Sequence, residues 1–162
     1  MLKYLYTKEV FAEVPGEISL GISISGCPIH CKGCHSRELW EYKGTPLTID
    51  ELDKLLNKHK GITCLCLLGG EGDIDSLTEL FQYAYKKVKT AWYCGLDLIP
   101  KNKLGIIQYL DFLKLGHYDQ ELGALDSLIT NQRFFKIEHK SNGEYNKIDW
   151  TYKFNTKDKN ED

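Results

Sequence analysis

Three cysteines fall within the run Cys27-Pro-Ile-His-Cys31-Lys-Gly-Cys34 of this 162-residue chain. Thiolates separated by three and then two residues can converge on one metal centre, and such soft ligands select iron–sulfur clusters or zinc. A cubane cluster contains four irons, so three cysteines leave one iron without a protein ligand and open to a substrate. A structural zinc ion would instead need a fourth ligand, either His35 or a distant cysteine. Cys34 and His35 are adjacent, so their side chains diverge, and a second Cys-x-x-Cys knuckle is absent. A redox-active thiol group is the third reading. The spacing favours the cluster and leaves zinc open. Cys64, Cys66 and Cys94 stand in apolar stretches and read as core positions rather than ligands.

A second constellation is Gly69-Gly70-Glu71-Gly72-Asp73, directly after an apolar run. Glycines let backbone groups approach a ligand closely, and free carbonyls together with Glu71 would accept hydrogen bonds from the ammonium of an amino acid moiety. A plain tight turn explains the same residues if they are taken alone. His35 and Ser36 follow the last cysteine. His30 lies between two of the cysteines, either tuning a cluster by hydrogen bonding or exposed on the loop. Asn131, Gln132 and Arg133 could cap the start of a strand, and Trp92 and Tyr93 read as core. No serine or cysteine triad and no general base is evident.

The elements that must position these residues alternate. Ile18–Ser25 predicts a strand whose aliphatic face (Ile18, Leu20, Ile22, Ile24) opposes a small, polar one (Ser19, Gly21, Ser23, Ser25). Such a face leaves space that suits the wall of a cofactor cavity, and the cysteine loop begins right after it. A helix is expected over Ile49–His59, capped by Thr48 with Glu51. Ile62–Leu68 reads as a buried parallel strand. A second helix is expected to be capped by Ser76 and Glu79, with Leu77, Leu80, Phe81, Ala84 and Val88 on one face. A strand at Thr90–Cys94, a helix near Lys103–Leu110 and a strand at Phe112–Leu115 continue the pattern. This order argues for right-handed βαβ units and a parallel sheet. Beyond it, Arg133–His139 and Lys147–Phe154 predict a hairpin joined through Ser141-Asn142-Gly143. Residues 1–155 are expected to form a single domain, and the charged run 156–162 a disordered tail.

Composition narrows the function classes. A net charge of -2 gives no reason to expect nucleic acid as a partner. No apolar run approaches the roughly 20 residues of a membrane helix, and the first residues lack a secretory layout. A cytoplasmic, reducing setting follows as the expectation, in which six cysteines stay thiols.

The cysteine loop after the first strand resembles the signature of radical S-adenosylmethionine enzymes. Gly26-Cys27…Gly33-Cys34-His35-Ser36, Gly69-Gly70-Glu71, Lys114-Leu-Gly-His-Tyr…Leu122-Gly-Ala-Leu-Asp126 and Thr130-Asn131-Gln132-Arg133 together resemble the activating protein of anaerobic (class III) ribonucleoside-triphosphate reductase, over roughly residues 5–153. The usual proline after Gly-Gly-Glu is Gly72 here, which loosens the loop but keeps its contacting groups. Activators of pyruvate formate-lyase look similar around the cysteines, and the Asn131-Gln132-Arg133 segment argues against them. The resemblance implies an α/β fold, an open partial (βα) barrel of the radical S-adenosylmethionine type with a C-terminal β-hairpin. It implies a [4Fe-4S] cluster on Cys27, Cys31 and Cys34, with S-adenosylmethionine against Gly33, Cys34, His35, Gly69, Gly70 and Glu71. Reductive cleavage of S-adenosylmethionine would give a 5′-deoxyadenosyl radical that makes a glycyl radical on the large reductase subunit. A low-potential donor such as flavodoxin or ferredoxin would supply the electron. The competing functions are a zinc-binding interaction module without catalysis and an activator of another glycyl-radical enzyme.

Overall fold

The computed structural model describes residues 1–155, so the expectation for 156–162 lies outside the described residues. Ten elements are defined in chain order: β1 (Lys3–Val10), β2 (Ser19–Ile24), β3 (Thr45–Pro46), α1 (Ile49–Lys58), β4 (Cys64–Leu68), α2 (Ile74–Ala84), β5 (Lys89–Tyr93), β6 (Phe112–Leu115), β7 (Arg133–His139) and β8 (Tyr145–Asp149). Short 3-10 segments occupy Arg37–Leu39, Lys101–Tyr109 and Thr151–Phe154. All eight strands form one open sheet in the order β3-β1-β2-β4-β5-β6-β7-β8, with β3 and β8 at its edges.

Strands β2, β4, β5 and β6 are mutually parallel and lie side by side in chain order. Right-handed crossovers that always step the same way put their connecting helices on one face of the sheet. There Leu20, Ile22, Leu65, Leu67 and Trp92 pack with Leu52 and Leu55 of α1 and Leu77 and Phe81 of α2. The opposite face buries Cys64, Cys66, Ala91, Phe112 and Phe134, covered by Val14, Leu125, Trp150 and Phe154. The outer strands β1, β3, β7 and β8 pair antiparallel.

Several expectations are corrected. The helix cap before α2 is Asp73, not Ser76: Asp73 Oδ1 accepts from the Ser76 N–H at 3.2 Å, and the Ser76 hydroxyl donates to Oδ2 at 2.7 Å. The carboxylate stands three residues earlier, where it satisfies the free N–H groups of the first turn. The third crossover is 3-10 rather than α-helical. The last strand ends at Asp149 instead of running to Phe154. Thr151 Oγ1 accepts from the Phe134 N–H, and the chain turns so that Trp150 and Phe154 cover Phe112 and Phe134, with ring centroids 5.9 and 4.9 Å away. Burial of aromatic area outweighs the alternating pattern here. The small face of β2 is filled rather than hollow. Ser19 and Ser23 are buried, and a side chain at Gly21 would meet Val10, Leu68 and the Lys8 carbonyl at 3.4 Å.

Candidate functional site

The cysteine loop leaves β2 at its carboxyl end, the edge where parallel sheets present ligands. The loop is held by backbone contacts: the Cys27 N–H donates to Leu39 O at 2.9 Å and the Cys34 N–H to Cys31 O at 3.1 Å. Cys27, Cys31 and Cys34 are all free thiols of intermediate exposure, whereas Cys64, Cys66 and Cys94 are free and buried. Two of the loop thiols receive backbone donors: Ser36 N–H to Cys34 Sγ and Tyr118 N–H to Cys31 Sγ, each at 3.4 Å. Peptide N–H groups aimed at sulfur are the environment that iron–sulfur thiolates take. Burial pushes the Cys27 thiol up, as it does the three core thiols, Cys64 and Cys94 to about 12. The direction is the same in all four, so it is exposure that separates the loop thiols from the core ones. Among the described residues no three His, Cys, Asp or Glu side chains are gathered around a single ion.

Gly69, Gly70 and Glu71 follow β4, one strand over from the loop, as the sequence anticipates. Gly70 has φ +87°, and a Cβ there would lie 2.8 Å from Leu77, so the turn demands glycine on both counts. The Gly69 carbonyl accepts from Trp92 Nε1 at 2.8 Å and is therefore occupied, while Trp92 itself is core. Glu71 is the informative residue. Its Oε1 accepts from the Gly95 N–H at 2.7 Å, whereas its Oε2 is shielded from solvent and has no partner. Burial raises its carboxyl above the ordinary range, against the pull of the Gly95 N–H, of its own backbone N–H and of Lys114. An unpaired buried acceptor costs free energy until a donor reaches it, and a ligand ammonium is such a donor. The donor sets thus fit both groups: thiols with backbone donors for a cluster, and an unsatisfied carboxylate oxygen for the amino group of S-adenosylmethionine.

The remaining candidates divide. His35 packs its ring against Tyr118, centroids 5.5 Å apart, and Gly33 makes room for Gln120, whose Oε1 would lie 2.2 Å from a Cβ. The His30 side chain is exposed and stacks on Trp40 at 4.4 Å, while its backbone N–H and that of Ile29 act on the Cys27 thiol. Asn131 and Gln132 do stand at the start of β7, but their amides donate to the β6–β7 connection rather than capping β7: Asn131 Nδ2 to His117 O at 3.1 Å, Gln132 Nε2 to Gly116 O at 3.5 Å. Arg133 is exposed.

Sequence reasoning named Lys114 within the family resemblance but gave it no role; it is buried on β6 and donates from Nζ to Gly116 O at 2.7 Å and Cys94 O at 3.2 Å. Its ammonium is pushed down by burial and held up by Cys94, Glu71 and Cys31. A single lysine within Phe-Leu-Lys-Leu was the available signal. Tyr118, quoted only within the same resemblance, and Gly95 were given no role either, because both act through backbone N–H groups that leave no side-chain signature.

No helix among the described residues is long and apolar enough to cross a membrane. No curated protein and no solved structure matches the chain. A family model described as a 4Fe-4S single cluster domain matches residues 15–134, which run from just before β2 into β7 and include all three loop cysteines. With the thiol loop at a sheet edge and a match over more than half its length, the chain belongs to the 4Fe-4S single cluster domain family.

Proposed function

We propose that the chain is a radical S-adenosylmethionine activase for anaerobic ribonucleoside-triphosphate reductase, with its [4Fe-4S] cluster on Cys27, Cys31 and Cys34. The observation that carries this reading is Glu71 Oε2, a buried carboxylate oxygen without a partner, one strand from a three-thiol loop. That oxygen lies beside the glycine turn at the carboxyl edge of the sheet, where it could take a hydrogen bond from a ligand ammonium. When bound and given one electron by a flavodoxin-like or ferredoxin-like donor, the cofactors would supply a 5′-deoxyadenosyl radical and methionine by breaking the S–C5′ bond, and that radical would take a hydrogen atom from a backbone glycine of the large reductase subunit, leaving 5′-deoxyadenosine and a glycyl radical.

The chain's own residues bind, orient and shield. Glu71 accepts the ammonium of the methionine moiety, and the glycine turn keeps bulk away from that contact. Lys114 lies within electrostatic reach of Glu71 and Cys31, where a buried cation offsets the negative charge of thiolates and carboxylate. Gly33 and His35 flank the third thiol and are packed by Gln120 and Tyr118. The cysteine loop and the glycine turn share the carboxyl edge of the parallel strands, and that edge is where a loop of the partner would approach. Six free cysteines suit a reducing cytoplasm.

The test mixes reduced, anaerobically purified protein, S-adenosylmethionine and the reductase, and looks for a glycyl radical by EPR. Methionine release without that radical would retain the cleavage and remove the partner. Absence of both would leave an iron–sulfur protein without this activity, and colourless protein with stoichiometric zinc would remove the cluster.

A further inference from the structure

The connection between β6 and β7 forms a strap that lies on the cysteine loop. At its root, the Gly116 N–H donates to Leu96 O at 2.8 Å, and Asp97 Oδ1 accepts from the His117 N–H at 3.1 Å and meets its ring Nδ1 at 2.8 Å. From the far end of the connection Asn131 Nδ2 reaches back to His117 O, and Gln132 Nε2 lies 3.5 Å from both Gly116 O and His117 O. The very next peptide beyond this anchored pair is Tyr118, whose N–H donates to Cys31 Sγ across 87 residues of sequence. The Tyr118 ring then meets His35, and Gln120 fills the space left by Gly33. A cavity of about 480 Å³ is lined by Ile29, Cys31 and Lys32 together with His117 to Glu121.

We infer that Asn131 and Gln132 are positioning residues that fix this strap so that the Tyr118 peptide donates to the Cys31 thiolate and sets the reduction potential of the cluster. The inference rests on Cys31 as a cluster ligand and not on S-adenosylmethionine. Its physics is direct. A reduced cluster carries one more negative charge than an oxidised one, so an N–H donor to a ligand sulfur stabilises the reduced form more and raises the potential. A peptide N–H has no rotamer with which to find its acceptor, so its aim depends wholly on where the backbone is held. His117 O is the atom through which that backbone is held, since it belongs to the same peptide unit as the Tyr118 N–H. An amide from Asn131 on that oxygen therefore fixes the orientation of the donor itself.

Two measurements on the full chain with its cluster reconstituted test this. In the first, the midpoint potential is followed by EPR-monitored titration. Tyr118→Pro, which removes the N–H, is expected to shift it to more negative values, whereas Tyr118→Phe, which keeps both the N–H and the ring, is expected to leave it in place. In the second, hydrogen–deuterium exchange reads residues 117–121. Asn131→Ala is expected to speed exchange there roughly fivefold, the effect of losing about one hydrogen bond, and Arg133→Ala, whose exposed side chain does not touch the strap, is expected not to. The exchange arm serves even if Tyr118→Pro disturbs the loop. A wild-type potential in Tyr118→Pro at full iron content would overturn the inference. So would equal exchange in Asn131→Ala and the wild type. Failure of the wild-type chain to take up iron at all would overturn the ligand assignment first and this inference with it.

Discussion

Glu71→Gln separates binding from folding at one atom. The substitution keeps an acceptor for the Gly95 N–H, now the amide oxygen in place of Oε1, and replaces the unpartnered Oε2 with an amide nitrogen. The proposed contact with the ligand ammonium is a hydrogen bond between charged groups, worth about 1.5–3 kcal/mol. Its loss corresponds to roughly a tenfold to 150-fold weaker affinity for S-adenosylmethionine, measured by equilibrium dialysis on cluster-loaded protein. Stability should move the other way or not at all. The carboxyl is raised in the folded chain chiefly by burial. The folded state then binds more protons than the unfolded one, so Glu71 subtracts stability as pH rises from its unfolded value through its folded one. Removing the charge abolishes that loss, and the urea midpoint of Glu71→Gln at neutral pH is expected not to fall below that of the wild type. An affinity within twofold of the wild type would refute the assignment of Oε2. A large drop in the urea midpoint would show that the carboxylate serves the fold instead.

Cys27→Ala, Cys31→Ala and Cys34→Ala should each abolish S-adenosylmethionine cleavage and lower bound iron and acid-labile sulfide. Cys66→Ala, in the opposite core, should leave cleavage and iron content largely unchanged. Gly70→Ala combines a left-handed backbone cost of roughly 1–2 kcal/mol with overpacking against Leu77 of roughly 1–3 kcal/mol. Denaturant unfolding should therefore show a loss of about 2–5 kcal/mol. Asp73→Ala removes the α2 cap and should cost about 0.5–2 kcal/mol in the same assay.

What the sequence makes legible follows from where its signals are carried. Helix α1 and strands β2, β4, β5, β6 and β7 are readable to within a few residues at their ends, because each buries an apolar face whose period shows in the residues. Strand β1, Lys-Tyr-Leu-Tyr-Thr-Lys-Glu-Val, escapes, since its half-exposed, mixed residues carry no clean alternation. Strand β3 is two residues long and exists only because Lys3 and Tyr4 pair with it. The cysteine loop and the glycine turn are legible because thiols and paired glycines are scarce and chemically specific. The Tyr118 donor, the Gly95 donor and the amide anchors at His117 are not, because they depend on which peptides the fold brings together rather than on which side chains are present.

The two rims of the open sheet govern how copies of this chain can meet. An unpaired strand invites another strand to add to it, and long, flat, apolar rims are where that happens. One rim here is β1 beyond its two-residue pairing with Thr45–Pro46, where the exposed Tyr6, Lys8 and Glu9 set charge and a polar ring along the edge. The other is the five-residue β8, whose exposed Asn146, Lys147 and Asp149 interrupt any apolar face. Growth of the sheet by strand addition is thereby discouraged at both ends, and concentrated protein should remain free of fibrillar aggregates.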